Sequence, residues 1–397
     1  MNWLWINYHK SLMSAIFLTM VALLLTSCTG GGGNSKIEAV SNQLPTPSNF
    51  ETPPASPQIS RTEEPSAGIL YVGDLELPVG GATGYASIQL ELKESASNAS
   101  PTIKVIEPGS AFQILKENGA WWLVQHEDAS GWLPHNYCFI NLPDVIPSII
   151  YDNTNTYNSQ FKSSGKSIPG ITNQGLYPGK SYNKRLGKEE YIVPVLYAMS
   201  KKIYAAQRMA LADGNSLKIY EGFRPYTVQK EVATALKALA KSDPTVLKGI
   251  NTPPWGITWF IVDGVSNHQM GYGMDVSLVL VNSEQQISIG EYSSLQITDY
   301  VEYEMPTPIH ELSGGSAIFT SAVTSKIPDA WRRATYAKTM TDAALQLQYY
   351  CTFADLTPLA SEWWHFNDLE ARDNLLDQGG DGAFILTENY SIAPFAD

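Results

Sequence analysis

Residues 68–142 carry short apolar runs separated by turn residues, a pattern of strands rather than helices. The runs are Ile69-Leu70-Tyr71-Val72, Ile103-Lys104-Val105-Ile106, Ala111-Phe112-Gln113-Ile114-Leu115 and Trp121-Trp122-Leu123-Val124. Pro108-Gly109 and Asn118-Gly119 punctuate them, the second as a hairpin turn. The pattern predicts a small all-β barrel. Neighbouring strand residues point to opposite faces, so one of Trp121 and Trp122 should be core-facing and the other exposed.

Beyond about residue 145 the period changes. Val195, Leu196, Met199, Ile203, Ala206 and Met209 recur at three- and four-residue steps and predict a helix over 193–211, with Pro194 in its first turn. Residues 217–220 read as a strand and 228–239 as a helix that stops before Asp243-Pro244. Residues 275–280 read as a strand and 329–347 as a helix. Helix and strand mix without a regular βαβ repeat, so the class is α+β. The predicted organisation is a leader over 1–28, a tether over 29–66, a small β domain over 67–143 and an α+β domain over 144–397.

The ends speak to place. Lys10 precedes an apolar run over 12–25, too short to span a bilayer comfortably, which predicts a secretory segment. It closes on Leu25-Thr26-Ser27-Cys28 and a Gly-rich tract. That junction resembles a bacterial lipoprotein cleavage box. The resemblance implies lipid on Cys28 and an exported protein anchored on the outer face of the cytoplasmic membrane. Residues 29–66 are rich in Gly, Ser, Thr, Pro and Asn and bury too little apolar surface to fold, so they read as a flexible tether. An exported protein can pair Cys138 with Cys351. Spacing alone does not establish disulfide geometry, and two buried free thiols is the preferred reading. The net charge of −13, with no basic stripe, leaves no electrostatic footprint for nucleic acid.

Candidate chemistry lies in two motifs. One is Ser266-Asn267-His268-Gln269-Met270-Gly271-Tyr272-Gly273-Met274-Asp275, the other Glu362-Trp363-Trp364-His365. His268, His365 and Asp275 offer two nitrogens and one carboxylate, a donor set that suits catalytic zinc with one position left open. Glu362 is then available to take a proton from water. Glu362 and His365 are three residues apart and point to opposite faces of an ideal strand, so they meet one metal only if the segment bends or bulges. Upstream, Glu221-Gly222-Phe223-Arg224-Pro225-Tyr226 places an arginine between a strand and a helix, where it can stabilise an oxyanion.

Gly222-Phe223-Arg224-Pro225, the Ser266 to Asp275 motif and Glu362-Trp363-Trp364-His365 together resemble the D-alanyl-D-alanine dipeptidase and carboxypeptidase family of zinc peptidases. Tyr220-Glu221, Met305-Pro306-Thr307-Pro308 and Phe366 extend the likeness towards its vancomycin-resistance-type dipeptidase branch. The resemblance implies that His268, Asp275 and His365 bind zinc, that Glu362 is the general base and acid, and that Arg224 stabilises the transition state. It places Ser266, and more loosely Tyr151, on the substrate. The implied substrate is D-Ala-D-Ala or a peptidoglycan stem peptide. In the dipeptidase branch an aspartate helps hold the substrate's free ammonium. His310 stands at the corresponding place here, with Glu311 as a substitute by a one-residue shift. The insertion over 281–297 suggests a substrate larger than a dipeptide. Alternatives are a carboxypeptidase acting on the stem peptide, cleavage of another stem bond, or a non-catalytic wall-binding lipoprotein. Residues 107–133, with Trp121-Trp122-Leu123-Val124 and Gly131-Trp132, resemble bacterial SH3-like domains, which implies either wall-peptide binding or a spacer.

Overall fold

The structure, a computed structural model, describes residues 68–375 and 378–396. The predicted leader, Cys28 and tether lie outside the described residues. Among the described residues, no helix is long and apolar enough to cross a membrane. Helices and sheets are mixed along the chain.

The spine of the central sheet is the strand Gly273–Ile289. Asn215–Glu221 pairs antiparallel along one edge of it. The other edge is shared, with Glu362–Asn367 opposite residues 273–275 and Tyr292–Glu302 opposite residues 279–289. Asp275 therefore has Glu221 as its cross-strand neighbour on one side and His365 on the other. Three motifs far apart in sequence meet at one end of one sheet. Ile150–Tyr151 and Ile69–Leu70 add parallel strands at the two edges.

A second sheet runs in the order Pro194–Leu196, Cys138–Asn141, Thr83–Ala86, Ala111–Asn118, Trp121–His126, Ala129–Pro134, Leu90–Lys93 and Thr102–Ile106. This path has two ends, so the sheet is not the closed barrel predicted. The Asn118-Gly119 turn joins its central hairpin, with Gly119 at φ 58°. Trp122 is fully buried and Trp121 half-buried, as strand alternation requires. Trp122 packs on Tyr197, the first residue of the helix Tyr197–Ala212. That helix touches both sheets. The described residues all belong to one compact unit.

Several elements differ from the sequence reading. Pro194 is not in a helical turn; it opens a strand that pairs with Asn141, and the helix begins three residues later. An apolar run such as Pro194-Val195-Leu196 serves either state locally, and its distant partner decides. Residues 281–297 are the continuation of a long hairpin rather than an inserted loop. Of the stretch 329–347, Ala330–Arg333 is only a short 3-10 turn, and the α-helix is Asp342–Phe353, capped by the Thr341 hydroxyl on the Ala344 N–H. Cys138 and Cys351 are buried free thiols.

Candidate metal centre

His268 Nδ1 lies 2.7 Å from the Gly222 carbonyl oxygen. A carbonyl only accepts, so Nδ1 carries the proton and Nε2 is bare. His365 Nε2 lies 3.0 Å from Asn367 Oδ1, which leaves its Nδ1 bare in the same way. Those two bare nitrogens lie 3.4 and 2.9 Å from Asp275 Oδ1. Three lone-pair carriers thus converge with no proton among them. All three side chains are at least 95% buried. Such an arrangement suits a cation, since donor atoms around tetrahedral zinc would sit about 3.4 Å apart. His268, Asp275 and His365 could therefore hold a metal ion, and the Gly222 carbonyl and Asn367 orient the two imidazoles.

Glu362 reaches the same point. Its Oε2 is 3.9 Å from His365 Nδ1 although the two residues are three apart on one strand. The structure supplies the irregularity this requires. Pro358 pairs with Phe366 but Leu359 pairs with Glu362, so the ladder slips between them. No protein donor holds the Glu362 carboxylate among the described residues, and burial together with the charge of Asp275 pushes its pKa well above the ordinary carboxylate range.

The other oxygen of Asp275 faces inward. Asp275 Oδ2 accepts from Arg224 Nη2 and from His310 Nε2, each at 3.1 Å. Arg224 is itself enclosed. Its Nε donates to Glu221 Oε2 at 2.6 Å, Nη1 donates to Gln229 Oε1 at 2.8 Å, and Nη2 is paired with both Glu221 and Asp275. One Nη1–H has no protein partner among the described residues. Glu221 is fully buried and also receives Asn155 Nδ2 and the Tyr177 hydroxyl.

His268, Asp275, His365, Glu362, Arg224 and Gln229 line one cavity of about 660 Å³. Its apolar wall includes Trp259, Phe260, Val262 and Trp364, and Lys326 stands exposed at its rim. Gly271, at φ 74°, lets the ligand loop turn where a Cβ would strike the Phe139 ring.

The other predicted site residues divide. Ser266 lines the cavity, with its hydroxyl on Gln269 Oε1 at 2.7 Å. Tyr151 does not reach it; its hydroxyl donates to the Ile146 carbonyl, and its ring borders a separate cavity of about 610 Å³. The hairpin residues Ile287, Ile289 and Ile297 line that second cavity too, so the segment 281–297 gives no support to a larger substrate. Glu311 lies outside the metal cavity, its carboxylate accepting from the Ser164 and Gly165 N–H groups. Sequence reasoning missed Asn367 and Gln229. Asn367 was within reach, because it lies two residues after His365 on the same strand face.

No protein-family model and no curated protein matches this chain. The functional reading therefore rests on the site's geometry and on the motifs.

Proposed function

We propose that this protein is a zinc-dependent peptidase of the D-alanyl-D-alanine type, acting on the ends of cell-wall stem peptides. The observation that carries the zinc reading is the convergence of His268 Nε2, His365 Nδ1 and Asp275 Oδ1, with Glu362 opening onto the same cavity. Bound zinc supplies a polarised carbonyl and an acidified water. Glu362 accepts the proton of the attacking water and returns it to the leaving amine. Its raised pKa suits both transfers. Arg224 offers its remaining N–H to the developing oxyanion while holding Asp275 in place. Trp364 and Trp259 keep bulk water from the reacting atoms.

The D-Ala-D-Ala preference comes from the motif resemblance. Within it, the acids of the cavity favour the carboxypeptidase reading over the dipeptidase one. Asp275 and Glu362 are the only acidic residues lining the cavity among the described residues. Glu311 is occupied elsewhere, and His310 donates to Asp275. A free dipeptide would bring its ammonium beside the scissile bond and find no further carboxylate to meet it. A stem peptide has an amide there instead. Lys326 at the rim is placed to pair with a terminal carboxylate. The leader and Cys28 support a position on the outer face of the cytoplasmic membrane, where such peptides occur.

The test is to incubate the zinc-loaded protein with free D-Ala-D-Ala and with a stem pentapeptide ending in D-Ala-D-Ala, and to read products by mass spectrometry. Loss of the terminal D-Ala from the pentapeptide, with little dipeptide cleavage, is expected. Efficient dipeptide cleavage alone would restore the dipeptidase reading. No cleavage of either would overturn the D-Ala-D-Ala assignment.

A further inference from the structure

His310 sits at a position where the motif resemblance expects a substrate-binding carboxylate, yet its surroundings point it elsewhere. The side chain is 1% exposed and does not line the metal cavity. Its Nε2 lies 3.1 Å from Asp275 Oδ2, an acceptor, so Nε2 carries the proton. Its Nδ1 is buried with no hydrogen-bond partner. A buried polar atom left alone calls for an explanation. Here the ring is held for the sake of its other nitrogen.

The holding is specific. The ring stacks on Phe161 with centroids 4.5 Å apart and planes 19° apart, and meets the edges of Trp364 and Tyr220. The backbone at His310 has φ 59°, a conformation that L-residues rarely adopt. Its neighbours hold that conformation. The His310 carbonyl accepts from the Lys162 N–H, the Leu312 N–H donates to the Lys162 carbonyl, and the Glu311 carboxylate caps the turn at Ser164 and Gly165.

The two oxygens of Asp275 thus face different surroundings. Oδ1 looks towards His268 and His365, while Oδ2 is gripped by Arg224 and His310. Two donors on one oxygen fix the rotation of the carboxylate about its last bond. One donor would leave it free to swing. We propose that His310 is a positioning residue that fixes the Asp275 carboxylate so that Oδ1 is presented to the metal. This rests on the zinc reading above and adds a role that the motif resemblance does not give. It also explains why this position does not serve a substrate ammonium. A carboxylate in place of His310 would face Asp275 and repel it.

The test compares zinc affinity, by competition with a fluorescent chelator, in the wild type, His310→Gln and His310→Leu. Glutamine keeps an N–H donor; leucine keeps bulk and removes it. His310→Leu should bind zinc about 10- to 100-fold more weakly, the usual effect of losing such a partner. His310→Gln should recover most of that loss, and the visible spectrum of the cobalt-substituted protein should shift in the leucine variant only. Equal affinity and an unchanged cobalt spectrum in His310→Leu would overturn the proposal. Where the leucine variant does not fold, the zinc-loaded wild type decides. Nitrogen-15 NMR should show His310 protonated at Nε2, and an Nδ1-protonated ring would overturn the assignment. A wild type that binds no zinc overturns both this inference and the zinc reading. A wild type that binds zinc beside an unaffected leucine variant overturns this inference alone.

Discussion

Two buried triads share Asp275. His268, Asp275 and His365 form one, and Glu221, Asp275 and His310 the other. By residue type and burial either could pass for a metal site. They differ in where the protons are. In the second triad both oxygens of Glu221 and Oδ2 of Asp275 already have protein donors. Glu221 receives Asn155, Tyr177 and Arg224, and Asp275 Oδ2 receives Arg224 and His310. Arg224 is the cation there. In the first triad the second nitrogen of each imidazole is tied to an oxygen acceptor, leaving lone pairs facing one another. A cluster of ligand-type residues is a structural network when its own donors satisfy it and a metal site when they cannot.

The sharpest way to break the comparison is to substitute one residue unique to each triad. His365→Ala should remove zinc and reduce peptide cleavage to background, read as metal content and rate. Glu221→Gln should keep zinc, because Glu221 makes no hydrogen bond to Asp275 and a glutamine there still accepts from Arg224. Zinc retained by His365→Ala, or lost from Glu221→Gln, would invert the assignment.

Next in size is Glu362→Gln. Zinc content should stay near one per chain while turnover falls about 10²- to 10⁴-fold, the usual contribution of a positioned acid–base group. The pH profile sharpens the same point. Burial and Asp275 raise the Glu362 pKa, and Glu362 must be deprotonated to accept a proton. The rate on peptide should therefore rise with pH along an acid limb lying above the ordinary carboxylate range.

Asn367→Ala should have a smaller effect, weakening zinc binding by about 10-fold through loss of the acceptor on His365 Nε2. The smallest expected effect is Tyr151→Phe. Tyr151 borders the other cavity, so the KM for the peptide should change by less than about twofold, within the scatter expected of substitutions away from a site. A large rise in KM would mean that the two cavities communicate.

The legible parts of this molecule were those that local chemistry decides. Asn118-Gly119 turns a hairpin because glycine takes φ 58° freely. The helix Tyr226–Ser242 follows from Val228, Val232 and Leu236 at helical spacing, and Asp243 ends it by capping the next helix. The required break between Glu362 and His365 was readable because the strand period forbids them a common face. What was not legible depends on distant partners. Pro194–Leu196 is a strand because Cys138–Asn141 offers an edge. The long hairpin Gly273–Ile289 with Tyr292–Glu302 continues past the apolar positions that marked its start, through an exposed stretch with little alternation. The role of His310 depends on a turn at positive φ and a ring stack, neither of which leaves a periodic trace. The place of Tyr151 beside the other cavity was not legible either, because one aromatic residue carries no spacing of its own.

The central claim is that the first triad is a metal site. Crystals of the zinc-loaded protein, measured on both sides of the zinc absorption edge, test it most directly. The account predicts one anomalous peak per chain, bonded to His268 Nε2, His365 Nδ1 and Asp275 Oδ1, with Glu362 close by but not a ligand. A peak within the Glu221, Asp275 and His310 cluster, or none anywhere in the cavity, would contradict it.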